Sequence, residues 1–277
     1  MRLGGKITPA MATPEAWIAA VQAKGYRAAY CPVGIDAEAD TIEHYRSAAE
    51  SAGIIIAEVG AWSNPLDSDP AKRQAALEKC IASLRLADAI GARCCVNIAG
   101  SRGKRWDGPH PENLSDATFA MIVETVQQII DTAQPKQSAY ALETMPWIFP
   151  DSVESYARLV EAIDRPAFGV HFDPVNLVNS PARYFYNAGL IREFVAVLGP
   201  QIRAVHLKDI RLGETLTVHL DEVQPGEGEL AIDVLLRELS LLDADLPLML
   251  EHLPNDAAYD AAATHVRRVA AQEGVVL

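Results

Sequence analysis

Hydrophobic positions along the chain fall into short runs of strand length that alternate with longer stretches of helical period. Arg2–Ile7, Ala28–Cys31 and Ile54–Val59 read as the first three strands. Between them Thr13-Pro14-Glu15, an N-cap with proline at the first helical position, opens a helix running to Gly25, and Asp40–Ala52 is a helix closed by Gly53. After the turn-rich stretch 61–70, Ala71–Ile90 keeps helical periodicity up to Gly91, and Cys94–Ile98 is the fourth strand. Ser115 caps a helix reaching Ala133. Ser138–Thr144, Phe168–Asp173, Ile202–His206 and Leu246–Leu253 are the fifth to eighth strands, and further helices open at Asp151 and span Ala188–Leu198, Ala231–Leu242 and Asp256–Gln272. Eight strands in strict alternation with eight helices predict a parallel sheet closed as a single (β/α)8 TIM barrel of the α/β class. No Gly-x-Gly-x-x-Gly follows the first strand, which argues against a dinucleotide fold. The long connections, including 99–113, 174–187 and 209–229, all follow strands, so the functional end is the C-terminal face of the barrel.

The length of 277 residues with 49% hydrophobic content suits one barrel domain over 1–277. A formal charge of −13 opposes nucleic acid and anionic lipid as partners. Met1-Arg-Leu-Gly-Gly-Lys6 has no apolar leader region and no run approaches membrane-spanning length, so the expectation is a cytoplasmic protein with no membrane partner. Cys31, Cys80, Cys94 and Cys95 contain no Cys-x-x-Cys pair and read as small core residues.

The chemistry gathers at the ends of the last four strands. They finish on Glu143, Asp173, His206 and Glu251, and buried carboxylates are costly unless paired or bound to a metal. Strand alternation puts His171 with Asp173, His206 with Lys208, and Met249 with Glu251 on shared faces. One divalent ion held by Glu143, Asp173, His206 and Glu251 explains all four endings. Three carboxylates and one imidazole suit manganese first, with magnesium, cobalt or zinc as alternatives. The bland alternative is a set of salt bridges at the barrel mouth, to Lys208 for instance. Alternation also turns His252 away from Glu251.

The order Glu, Asp, His, Glu, together with His171-Phe-Asp173, His206-Leu-Lys-Asp209 and the Pro225-Gly-Glu-Gly228 turn, resembles the xylose-isomerase-like TIM-barrel superfamily of sugar isomerases and epimerases over nearly the whole chain. The layout is most similar to ketose 3-epimerases, hydroxypyruvate isomerases and inosose dehydratases. The resemblance implies a sugar, cyclitol or keto-sugar substrate and proton transfer next to its carbonyl through a metal-stabilised enediolate, with Glu143 and Glu251 as the acid and base. A dehydratase using the same site is the alternative, as is a non-catalytic sugar-binding barrel. His171, Lys208 and His219 are implied substrate contacts, with Arg183, Glu58 and Trp62 as flanking candidates. Asn176 stands where ketose 3-epimerases usually carry a second substrate-binding histidine, which leaves the sugar open. Glu227 and Glu229 in the turn before the seventh helix would repel a phosphate, so the expected substrate is unphosphorylated. Homo-oligomers through exposed helix faces are common among such relatives, and the sequence points to no particular surface.

Overall fold

The fold is set by eight short apolar staves, most of them buried on both faces. The computed structural model describes residues 1–8 and 11–277. The strands are β1 (Arg2–Gly5), β2 (Ala28–Ala29), β3 (Ile55–Ile56), β4 (Glu58–Gly60), β5 (Cys94–Asn97), β6 (Ala139–Glu143), β7 (Phe168–Phe172), β8 (Ile202–Leu207) and β11 (Pro247–Leu250). They pair in the order β3-β2-β1-β11-β8-β7-β6-β5-β4, parallel throughout. The helices around them are α1 (Pro14–Ala23), α2 (Ala39–Ala52), α3 (Pro70–Ile90), α4 (Asp116–Ala133), α5 (Val153–Ile163), α8 (Asn187–Leu198), α9 (Ile232–Ser240) and α10 (Asp256–Gln272). The expected (β/α)8 barrel is thus the observed one.

The two ends of that strand order, β3 and β4, are consecutive pieces of one stave, and Ala57 between them closes the ring. Its N–H donates to the Ala29 carbonyl at 2.8 Å and its own carbonyl accepts from the Cys94 N–H at 3.3 Å. Ala57 packs inward on Ala28 and Met249, with Ile55 against the same cluster, yet the next residue, Glu58, also reaches the interior histidines. Strict alternation therefore slips by one residue here, which is why the stave is divided.

Helix starts follow the capping residues. Thr13, Asp69, Ser115, Ser152 and Asn255 accept backbone N–H groups of α1, α3, α4, α5 and α10. At the opposite end of the barrel the Asp88 carboxylate gathers the N–H groups of Lys136, Gln137 and Ser138 at 2.8, 2.7 and 3.0 Å, fixing the entry to β6. Burial pushes the Asp88 carboxyl up, but these three donors outweigh it and leave it below the ordinary carboxylate value. A depressed folded value gives stability that is present above the unfolded pKa of about 4 and is lost as pH falls through the folded one. Asp88→Asn should therefore lower stability at pH 7, by less than about 1 kcal/mol because solvent screens this carboxylate, and the gap from the parent should close below about pH 4. Urea unfolding across pH measures this, and a gap independent of pH would refute it.

Two of the long connections hold structure too short to show periodicity in sequence. Residues 174–187 contain α6 (Pro174–Leu177) and α7 (Pro181–Phe185), capped by Asp173 and Ser180. Residues 209–223 form an antiparallel hairpin of β9 (Asp209–Leu212) and β10 (Leu220–Val223). Asp209 anchors the turn beyond the hairpin: its carboxylate accepts from the N–H groups of Gly226, Gly228 and Leu230 at 2.9, 3.0 and 2.9 Å. Gly228 must lack a side chain, since a Cβ there would lie 2.3 Å from the Ile210 carbonyl oxygen. The donors of the Pro225-Gly-Glu-Gly turn are thereby already occupied. Asp209→Ala should cost about 3 kcal/mol in urea unfolding by stranding four donors, the Ile210 N–H among them, and a loss below about 1 kcal/mol would show that the turn stands without it.

Candidate functional site

The ends of β6, β7, β8 and β11 bring Glu143, Asp173, His206 and Glu251 together, with one ligand atom from each within 4.8 Å of every other. His206 Nδ1 lies 3.0 Å from Glu143 Oε1 and 3.0 Å from Glu251 Oε2. Asp173 divides its two oxygens. Oδ1 caps α6 through the N–H groups of Val175 and Asn176, while Oδ2 lies 2.7 Å from Lys208 Nζ with no directed hydrogen bond. Glu251 Oε2 is likewise buried without a hydrogen-bond partner, 2.9 Å from the same ammonium. Carboxylate oxygens buried against one another and lacking donors fit a bound divalent cation, and three carboxylates with one imidazole are a hard, oxygen-rich donor set.

Below this group Glu58 is 2% exposed and holds both interior histidines, with Oε2 2.9 Å from His171 Nε2 and Oε1 3.1 Å from His206 Nε2. The two imidazoles meet edge to face with centroids 4.2 Å apart. His206 is therefore oriented from beneath by one carboxylate, leaving Nδ1 aimed at the ligand set. His171 is fixed by the β-bulge between Val170 and His171, where the Tyr156 hydroxyl accepts the His171 N–H at 3.0 Å and donates to the Leu142 carbonyl.

Electrostatics follow from this crowding. Burial alone would raise the Glu58 carboxyl, but the His206 and His171 rings hold it at about 2. Burial lifts Asp173 to about 7, with Glu143 and Glu251 adding to the rise against the pull of Lys208. Burial would lower His206 and Lys208, yet the surrounding carboxylates push both well above their ordinary values. Glu143 and Glu251 are held below the usual range, chiefly by His206 against the burial penalty. Lys208 thus sits where excess negative charge demands a cation.

The remaining expected residues separate into three groups. Trp62, Asn176 and Lys208 line a cavity of about 320 Å³ beside Glu143 and Glu251, and the Asn176 amide donates to Glu143 Oε1 at 3.4 Å. Arg183 lies outside it, its guanidinium donating to the carbonyls of Asp151 and Leu177 at 3.0 Å each. His219 is exposed near the hairpin tip and is absent from that lining. Glu58 and His171 lie beneath the ligand set, bonded to each other.

His252 departs from the expected outward direction. Its φ of 55° ends the alternation of β11, and its ring turns back to put Nε2 3.4 Å from Glu251 Oε1 and Nδ1 3.1 Å from Glu222 Oε1. Glu222, on β10, also lies 3.4 Å from Lys208 Nζ and lines the cavity. A hairpin that could not be read in sequence supplies it, so it carried no signal there. Trp106 and Met145 complete the walls from loops whose direction sequence does not fix.

The family described as xylose isomerase-like TIM barrel matches residues 18–269. The chain belongs to that family. No curated protein matches the sequence. Similar solved structures include a D-psicose 3-epimerase with D-tagatose from Clostridium cellulolyticum H10 (15% identity, 97% of this chain and 99% of that one, TM-score 0.68). A xylose isomerase-like TIM-barrel protein from Mycobacterium smegmatis in complex with magnesium has 15% identity over 98% and 96% of the two chains, TM-score 0.67. Endonuclease IV from Thermus thermophilus has 14% identity over 98% and 100%, TM-score 0.73. At such identities the structures share the barrel alone. In this xylose isomerase-like barrel, function has to be argued from the site.

Proposed function

We propose that the protein is a metal-dependent sugar isomerase or epimerase that moves a proton next to a carbonyl of a sugar, cyclitol or keto-sugar. The single observation that carries this reading is the convergence of Glu143, Asp173, His206 and Glu251, of which Glu143 and Glu251 line the 320 Å³ cavity. These four would hold one divalent cation, manganese before magnesium, cobalt or zinc, which when bound polarises the substrate carbonyl and makes the adjacent C–H acidic. The epimerase with D-tagatose and the magnesium-bound family member are consistent with that use.

The chain's own residues do the proton work. Glu251, kept ionised by His206 and Lys208, takes the proton from the substrate carbon; Glu143, ionised beside His206 and tied to Asn176, exchanges it from the second side. Lys208, between Asp173, Glu251 and Glu222, donates to the substrate oxygen on which charge develops. Trp62 and Trp106 wall the cavity beside the reacting carbon. Return of the proton to the same carbon gives the epimer, and return to its neighbour exchanges aldose and ketose. The formal charge of −13 turns the reading away from a nucleic-acid substrate.

Incubation with a panel of ketoses and divalent metals in deuterated water tests the reading. Solvent deuterium should appear at the carbon next to the carbonyl with the hydroxyl count unchanged. Loss of water instead would assign a dehydratase, and bound metal without exchange on any sugar would leave a binding protein.

A further inference from the structure

The end of the barrel opposite the ligand set holds a cavity of about 530 Å³ that shares no residue with the 320 Å³ one. Its walls are the entries to successive staves: Arg93 just before β5, Lys136 to Ser138 just before β6, and Arg203 near the start of β8. Three cations and no carboxylate line it, in a chain of formal charge −13. Arg203 is placed there by a backbone irregularity. β7 pairs Val170 with Ile202 and His171 with Ala204, so Arg203 is the extra residue of the bulge. Room for it comes from two small neighbours, since a Cβ on Gly169 would lie 2.5 Å from Arg203 Cγ and 3.2 Å from the Ala139 Cβ. The nearby acids are engaged elsewhere. Asp243 pairs with Arg93, and Asp88 Oδ1 takes the N–H groups of Lys136, Gln137 and Ser138. Arg203, half-buried, has neither an ion-pair nor a hydrogen-bond partner among the described residues. Ser138 is 5% exposed, and its hydroxyl is buried with no partner. An uncompensated arginine beside an unspent hydroxyl is costly to keep unless an anion answers both.

We propose that this lower mouth binds the phosphate group of a small phosphorylated metabolite, held by Arg203 and Lys136, with Arg93 and the Ser138 hydroxyl completing the donors. The donors reach the cavity from the entries to three different strands, so they surround a ligand from several sides. That arrangement suits a tetrahedral oxyanion better than a planar carboxylate, and guanidinium groups pair with phosphate through two parallel hydrogen bonds. The volume falls within the range that holds small ligands and exceeds what one phosphate fills, which leaves space for the body of an ester. The two ends of the barrel then take different molecules, an unphosphorylated substrate above and a phosphate ester below. The lower site stands whether or not the upper one is an isomerase.

Calorimetric titration of the purified protein with glycerol 3-phosphate, glycerol, inorganic phosphate and citrate tests this. Glycerol 3-phosphate should bind, glycerol should not, and inorganic phosphate should bind more weakly than the ester; equal affinity for the two would keep the site and name free phosphate as its ligand. Arg203→Gln and Lys136→Glu should each weaken glycerol 3-phosphate by about ten-fold or more, the worth of one charge-assisted hydrogen bond. Lys104→Glu, the same change of charge at an exposed position outside the cavity, should leave the affinity as it was. Lys136 is exposed, so Lys136→Glu decides the matter even if Arg203→Gln fails to fold. Absence of binding by both phosphates, citrate binding more tightly than either, or equal weakening by Lys104→Glu and Lys136→Glu would overturn the proposal.

Discussion

Glu251→Gln should lower the rate of deuterium exchange into a substrate ketose by about 10²–10⁴-fold, the usual contribution of a positioned proton-transferring group. The substitution keeps the shape and an amide oxygen facing His206 Nδ1 and Lys208, so the fold and the cavity should survive. What it removes is the one function an amide cannot perform, accepting a proton from carbon. The neighbours argue for this residue. Lys208 at 2.9 Å and His206 at 3.0 Å keep its carboxylate ionised despite burial. Exchange measured by NMR on the folded, metal-loaded variant decides the matter. Parental exchange rates would take Glu251 out of the chemistry and leave Glu143 as the only carboxylate able to do it.

Replacing His206 by alanine should have a broader effect, because this ring is the contact point of three carboxylates. Glu58, Glu143 and Glu251 each lie 3.0 to 3.1 Å from one of its nitrogens. Removing it takes one donor from the metal set and leaves buried negative charge facing itself, which costs about 3–5 kcal/mol when a buried charge loses its partner. Metal uptake followed by calorimetry and unfolding followed by urea should both collapse. Glu58→Gln supplies the graded comparison. It touches no substrate and keeps every donor of the metal set, but an amide cannot receive both imidazole N–H groups as the carboxylate does, so metal affinity should drop by about 10- to 100-fold. Unchanged affinity in Glu58→Gln would mean that His206 needs no support from below.

Much of this site is legible in the sequence because its residues stand at the ends of regular strands. Alternation fixes the face, and the barrel's closure makes equivalent ends converge, so Glu143, Asp173, His206 and Glu251 can be read together. Legibility fails wherever the backbone leaves regular geometry. The left-handed φ of His252 returns its ring to Glu251, and the slip at Ala57 sends Glu58 beneath the ligands rather than into a flanking loop. Glu222 arrives on a hairpin whose strands are four residues each, too short and too mixed in polarity to leave a pattern. His219 and Arg183 stand out only by polar character in long loops, and such loops carry no periodicity to say which way a side chain faces.

The divided stave at Ala57 ties the closure of the barrel to the acid beneath its ligand set. Deleting one residue there would restore an uninterrupted pleat and, by the same shift, exchange the carboxylate under the two imidazoles for the methyl groups of Val59. The irregularity cannot be repaired without erasing the support. Any redesign of this barrel that straightens residues 55–60 for added rigidity should therefore be expected to yield a sturdier shell around an ill-held ion.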